Sequence, residues 1–182
     1  MPAPTFETDR LVLRPLVDDD LDPLLEVYRT PELRRWLHLD EEPSREDVWR
    51  MMAVWRGMWE LRGCGQLAVI ERATGRVVGR AGTHLPERED WPGIEVGWAL
   101  HPDVWGRGYA TEAGRASVDD AFDRHDVEAL YSCILADNTR SQAVAERLGF
   151  RFWEERTMSF FPDAPHGIWR LTREAWAGRR LG

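Results

Sequence analysis

Glu95-Val96-Gly97-Trp98-Ala99-Leu100-His101-Pro102-Asp103-Val104-Trp105-Gly106-Arg107-Gly108-Tyr109-Ala110-Thr111-Glu112-Ala113 is the stretch that decides the fold. The spacing predicts a strand over Ile94 to Leu100, ended by His101-Pro102-Asp103, then a loop with glycines at 106 and 108 that opens into a helix over Gly108 to Arg124. Glycines let main chain approach an anion closely, and the first turn of a helix offers unpaired N–H groups at the positive end of its dipole. The combination reads as a phosphate cradle, although the two glycines alone read first as a plain strand-to-helix turn. Two nucleotide motifs fail on detail. A dinucleotide-binding G-x-G-x-x-G would need glycine where Thr111 stands, and a phosphate loop of the G-K-[ST] kind needs a lysine, of which the chain has none.

Upstream, Arg10-Leu11-Val12-Leu13-Arg14 alternates polar and apolar residues and is stopped by Pro15, as a strand would be. Asp18 to Asp20 precede Leu21, Leu24, Leu25 and Tyr28, an acid-first helical start. A second helix begins after Ser44, an N-cap residue with Asp47 three places on, and carries Val48, Met51, Met52, Trp55 and Trp59 up to Gly63. The period then drops to two over Gln66 to Glu71 and Val77 to Leu85, joined by a turn at Thr74-Gly75. Downstream, Ala129 to Leu135 reads as a strand. Asn138 opens a helix that Gly149 closes, strands follow over Phe150 to Phe161 and Gly167 to Thr172, and a short helix starts at Thr172. Strand, two helices, three strands, helix, strand, helix, two strands is the order of a mixed α/β sheet with helices on its faces. Neither repeat nor low-complexity linker divides it, so one domain over 1–182 is expected.

The 182 residues carry 24 basic and 32 acidic side chains, a formal net charge of −8 with an isoelectric point near 5.2. That balance argues against binding nucleic acid through its phosphates. With 43% hydrophobic and 31% charged residues the chain is globular, and no run approaches the ~20 apolar residues of a membrane span. Met1 to Arg10 lacks the pattern of a signal peptide, so a cytoplasmic protein is expected. Cys64 and Cys133 belong to no metal-binding or disulfide pattern, and no metal is expected. Since every basic residue is arginine, no amine of this chain can form a Schiff base.

The stretch 97–113, followed by Asn138-Thr139-Arg140-Ser141 and Glu146-Arg147-Leu148-Gly149-Phe150, resembles the GNAT superfamily of acetyl-CoA-dependent N-acetyltransferases. Thr8-Asp9-Arg10-Leu11-Val12-Leu13-Arg14 and Leu171-Thr172-Arg173-Glu174-Ala175-Trp176 place the likeness in its RimJ/RimL-like branch. The resemblance implies an α/β GNAT fold: a mixed, mostly antiparallel central sheet, splayed between two parallel strands and flanked by helices. It implies acetyl-CoA as cosubstrate, with the pantetheine arm along Trp98, Ala99 and Leu100, the pyrophosphate on the amides of Trp105, Gly106, Arg107, Gly108, Tyr109, Ala110 and Thr111, and Asn138 and Ser141 facing the arm and the sulfur. The chain departs from the family at Asp103, where Gln or Arg often stands; Arg107 is the nearby positive charge that offsets it. The acceptor implied is a primary amine, on a peptide N-terminus or a small molecule, and a homodimer is compatible with the branch.

Transfer to an amine needs a neutral nitrogen, a polarised thioester carbonyl and a proton for the departing sulfur. Glu95, just before the splay in an apolar segment, is the candidate base, because desolvation raises a carboxyl pKa; a bulge near Gly97 would alter the way it faces. Asn138 serves equally as a helix cap. His84 reads first as structural and second as a relay, Cys133 as a small buried hydrophobe, Glu112 as support for the helix start and Tyr109 as packing. Trp36, Trp55, Trp59 and Trp91 fall in the segments that border the acceptor in this family. Asp18 to Asp20, Glu41, Glu42, Glu87, Glu89 and Asp90 suggest a field that attracts a cationic amine. The alternative to an enzyme is a non-catalytic acyl-CoA-binding module that keeps the cradle and lacks the base and acceptor pocket.

Overall fold

The computed structural model describes residues 2–37, 39, 41–159 and 161–180, and of Arg180 only the main chain. Met1 and Phe160, which fall within the N-terminal and strand expectations, and 181–182 of the expected domain lie outside the described residues. The strands are β1 (Phe6–Glu7), β2 (Leu11–Arg14), β3 (Gln66–Glu71), β4 (Val77–His84), β5 (Glu95–Leu100), β6 (Ala129–Leu135), β7 (Arg151–Arg156) and β8 (His166–Thr172). They form one sheet in the order β1-β2-β3-β4-β5-β6-β8-β7. Every pairing is antiparallel except β5 with β6, which are joined by the crossover helix α4 (Tyr109–Arg124). This is the expected mixed, mostly antiparallel sheet. Its parallel pair touches at one register position, Glu95 opposite Tyr131, where the Tyr131 N–H donates to the Ile94 carbonyl at 3.0 Å. Beyond that point the two strands part.

Helices cover both faces. On one, α4 and α5 (Thr139–Leu148) bury Val118, Phe122, Ala145 and Leu148 against Val96, Leu130 and Leu171. On the other lie α1 (Leu21–Arg29), α2 (Pro31–Leu37) and α3 (Arg45–Arg62), with Leu24, Tyr28, Val48, Met52 and Trp55 packed over Ala68. Leu24 is fully buried, and truncating a side chain so placed costs about 2–5 kcal/mol. The capping box expected at Ser44 forms: the Asp47 N–H donates to Ser44 Oγ at 3.2 Å, and the Ser44 N–H donates to Asp47 at 2.9 Å. Gly63, at φ 65°, closes α3 in the left-handed region that glycine tolerates. The terminal helix is α6 (Arg173–Arg180).

Three expectations are corrected. The two helices before β3 are three, because α2 is only seven residues long and buries a single leucine, Leu33, too little for a periodic signal. A two-residue β1 extends the sheet beyond β2. The strand expected over Phe150 to Phe161 ends at Arg156: β7 pairs only with β8 and is the sheet's edge, and after it Met158 turns inward. No bulge disturbs Gly97, since β4 and β5 pair without a shift from Gly79 opposite Leu100 to His84 opposite Glu95. Glu95, Gly97 and Ala99 therefore share the face of α1 to α3, while Val96, Trp98 and Leu100 point to the face of α4.

Candidate active site

The loop between β5 and α4 leaves its main-chain N–H groups open at the helix start. Gly106 and Gly108 sit at φ 77° and 80°, conformations that L side chains rarely adopt. A Cβ at Gly106 would meet nothing within 4 Å, so the space in front of the loop is open. The N–H of Glu112 is the first in α4 to be taken, by the Gly108 carbonyl at 3.0 Å. Those of Gly106, Gly108, Tyr109, Ala110 and Thr111 have no acceptor among the described residues, so four successive amides and a fifth nearby converge at the positive end of a 16-residue helix. Arg10 fixes the loop from behind. Its guanidinium donates to Glu112 at 2.7 Å and to the Arg107 carbonyl at 2.7 Å, and its N–H donates to Glu112 at 2.8 Å. Glu112 also accepts from the Thr8 hydroxyl at 2.6 Å, the supporting role expected of it. The Arg107 side chain turns back to Glu71 (3.4 Å), which also accepts from the buried Tyr109 hydroxyl at 2.8 Å. The half-exposed Arg107 also lines the cleft, so its positive charge is present at the loop and shared with Glu71. Asp103 pairs with Arg76 at 3.3 Å, away from the amides. Arg140, at the start of α5, stacks on the Trp105 ring at 4.9 Å and brings a cation to the loop's rim.

From the loop a cleft of about 2240 Å³ runs through the gap between β5 and β6 to the α1–α3 face. Ile94 and Leu100 both turn their carbonyls toward that gap, Ile94 to the Tyr131 N–H and Leu100 to the Trp105 indole N–H at 2.7 Å. Strand alternation then aims the main-chain groups of Trp98 the same way, with no strand opposite them. The Trp98 ring packs beside Gly114 on α4, and the Ala99 side chain is buried with Val27 and Leu33. Glu95 stands at the apex, where the strands separate. Its carboxylate accepts the Cys133 N–H at 3.3 Å, bridging the two strands. Burial pushes its pKa up from 4.5 to about 7, against the smaller opposing effects of that hydrogen bond and of the Arg80 charge. A carboxyl half ionised near neutrality, open to a cleft, can take a proton. Across the gap, Asn138 caps α5 by accepting the Ser141 N–H at 3.1 Å, and the Asn138 and Ser141 side chains both line the cleft.

An acetyltransferase (GNAT) domain model matches residues 10–151. The chain belongs to the GNAT acetyltransferase family. Among solved structures, the GNAT chain is similar to an acetyltransferase from Agrobacterium tumefaciens, with 30% identity and a TM-score of 0.79 over 93% of this chain and 95% of that one. It is 26% identical over 180 residues to YdaF of Bacillus subtilis, provisionally described as a ribosomal N-acetyltransferase, covering 94% of this chain and 96% of that one. This relative agrees with the RimJ/RimL-like character of the two termini. The aminoglycoside acetyltransferase AAC(6')-Ib in complex with coenzyme A shares the fold, at 20% identity and a TM-score of 0.77 over 93% of this chain and 99% of that one.

The remaining GNAT residues singled out in the sequence separate into floor, wall and core. His84 sits opposite Glu95 on the neighbouring strand with its ring edge-on to Trp91, and burial brings its pKa down to about 4, so it is neutral at physiological pH. Burial and the Glu95 charge push the Cys133 thiol up, which leaves it no nucleophile. Trp36, Trp55 and Trp91 line the cleft, whereas Trp59 is core, its indole N–H donating to the Gln66 carbonyl at 3.2 Å. The carboxylates expected to border the acceptor do not. Asp20 is buried against Arg14 at 2.7 Å, Glu42 pairs with Arg29, Glu87 with Arg62, and none of Asp18 to Asp20, Glu41, Glu42, Glu87, Glu89 or Asp90 lines the cleft. The charges on that side are instead Arg50, Arg80 and Arg88, with Glu95. Sequence alone missed Arg80, whose only local signal is a charge inside an otherwise apolar strand.

Proposed function

We propose that this chain transfers the acetyl group of acetyl-CoA to a primary amine by direct attack, with Glu95 as general base. The amides of Gly106 and Gly108 to Thr111 would hold the pyrophosphate, in the open space at Gly106, and the edge of β5 at Trp98 would pair with the pantetheine arm as an added strand. Acetyl-CoA supplies the activated carbonyl. The Trp98 N–H, aimed into the gap, is placed to donate to that carbonyl oxygen as charge builds on it. In the transfer an N–C bond forms and a C–S bond breaks. The proton lost by the amine goes to the Glu95 carboxylate, and the departing sulfur gains one from the Ser141 hydroxyl, which water reprotonates in turn. Asn138 keeps the α5 terminus, and hence Ser141, in position through its cap.

One observation carries the reading: a carboxyl with a pKa near 7 stands at the point where the parallel strands part, at the inner end of a cleft whose other end is a helix N-terminus with unpaired amides. A base reachable from the acceptor side is what an acyl-CoA-binding module would not require. We further propose that the chain works as one domain in the cytoplasm, in keeping with its single sheet and two unpaired cysteines. The test is thiol release from acetyl-CoA in the presence of primary amines, with Glu95→Gln as the control; binding of CoA without thiol release by any amine would contradict it.

A further inference from the structure

The half of the cleft on the α1–α3 side has a floor that the proposed chemistry leaves unused. Gln66, Arg80, Gly82, His84, Glu95, Gly97 and Ala99 share one face of β3, β4 and β5, and Gly82 lies opposite Gly97. Gly97, without a side chain, leaves a shallow recess in this floor, whereas at Gly82 the place of a Cβ is taken by the Gly65 carbonyl. Arg80 and Glu95 stand at its two ends: the Arg80 Nη1 approaches within 3.5 Å of where a Gly97 Cβ would be, and Glu95 lies two residues along β5 from Gly97.

The Arg80 guanidinium is held but not neutralised. Its Nε donates to the Tyr28 hydroxyl at 2.8 Å and its Nη1 to the Gln66 amide oxygen at 2.9 Å, both uncharged acceptors, and it lies on the Trp55 ring at 5.1 Å. No carboxylate lies within 4.0 Å of it among the described residues, whereas arginines such as Arg10, Arg14, Arg107 and Arg124 meet a carboxylate and Arg173 meets main-chain carbonyls. A fixed, partly buried cation with donors to spare is costly unless an anion joins it, and a planar guanidinium matches a carboxylate. Another buried donor of the cleft, the Trp91 indole N–H, has no acceptor among the described residues. Around both, Trp36, Met51, Trp55 and Met58 give the recess an apolar lining.

We infer that the acceptor is a primary amine that itself carries a carboxylate, an amino acid with an apolar side chain, bound with its carboxylate on Arg80 and its nitrogen toward Glu95. This rests on the acetyl-transfer reading above and names its substrate class. The transfer is the same: the nitrogen gains the acetyl group, CoA leaves as the thiol, the amine's proton goes to Glu95, and the carboxylate on Arg80 is unchanged. The arrangement reverses the expectation of a cationic acceptor, because the chain's net charge of −8 sits on surfaces outside the cleft while the recess itself presents a cation.

The experiment compares kcat/KM for L-methionine, L-phenylalanine and L-leucine with their carboxamides, and with spermidine and an alanine-initiated peptide, using wild-type protein and Arg80→Met. The carboxamides have the less basic and therefore more available nitrogen, so intrinsic reactivity favours them. The expected result is at least a tenfold preference of the wild type for the free amino acids, abolished in Arg80→Met and partly kept in Arg80→Lys. Were Arg80 present only to tune Glu95, its replacement would move the acidic limb of the rate equally for every acceptor. Equal rates on acids and carboxamides, or acetylation confined to spermidine or the peptide, would overturn the assignment while acetyl transfer stands. Absence of thiol release with every amine would overturn both. The wild-type comparison needs no variant, so a poorly folding Arg80→Met does not blunt the test.

Discussion

Glu95→Gln separates the catalytic role of this carboxyl from its cost to the fold, because the two move in opposite directions. The group's pKa rises from 4.5 to about 7 on folding, chiefly through burial. The folded chain therefore holds a proton that the unfolded chain has lost across pH 4.5 to 7, and stability falls as pH rises through that window. A displacement of this size amounts to at most about 3 kcal/mol of destabilisation above pH 7. Glutamine keeps the shape without the charge, so Glu95→Gln should match the wild type near pH 4.5 and exceed it at pH 8 by up to that amount in urea denaturation. Turnover should behave oppositely, falling by about 10²–10⁴ as expected for loss of a general base. The pH profile adds a signature: with an acceptor amine of pKa ~9, log kcat/KM should rise with slope about 2 below pH 7 and about 1 above it, and with slope 1 throughout in the variant. His84, near 4, titrates below this range. A variant that keeps the wild-type rate and its steep acidic limb, at whatever stability, would refute the assignment of the base.

Gly106→Ala forces a Cβ into a left-handed conformation with open space around it, so the effect should fall on the loop's shape: calorimetry should show CoA binding weakened by about 1–3 kcal/mol, with the fold intact. Unchanged affinity would remove the loop from the binding site. Asn138→Ala takes the cap from α5 and should weaken CoA binding and lower the melting temperature together, whereas Ser141→Ala should lower kcat in single-turnover measurements with little change in either; equal small effects would leave Asn138 a cap only and Ser141 without a role in the transfer. Asp20→Ala leaves the half-buried Arg14 without its bidentate partner and should cost about 3 kcal/mol in denaturant titration while CoA affinity holds, and a neutral result would mean that the pair is no support of the fold.

What was legible in the sequence was what is locally encoded. The Ser44 box and Gly63 bracket α3, Asn138 and Gly149 bracket α5, and Gly106 and Gly108 mark the one loop whose main chain is left-handed twice. Glu95 was found from the apolar stretch around it. What escaped depends on partners distant in the chain. Arg107 lies in the β5–α4 loop, yet its carboxylate partner is Glu71, 36 residues away in the chain. The net charge of −8 gives no hint that the cleft holds Arg80 on its α1–α3 side, because composition has no position. The short α2 and the two-residue β1 hold too few residues for a period, and the end of β7 follows from its place at the edge of the sheet, fixed by β8 rather than by its own residues.

The most direct measurement of the central claim is a mass-spectrometric and thiol-release assay of the full chain with acetyl-CoA and a panel of primary amines, run at pH 8 beside Glu95→Gln. The predicted result is one equivalent of free CoA thiol for each N-acetylated amine formed by the wild type, and loss of both products in the variant at undiminished acetyl-CoA affinity. Saturable CoA binding with neither thiol nor acetylated amine from any member of the panel would contradict it, and would leave the chain a CoA-binding module with a buried carboxyl of no catalytic use.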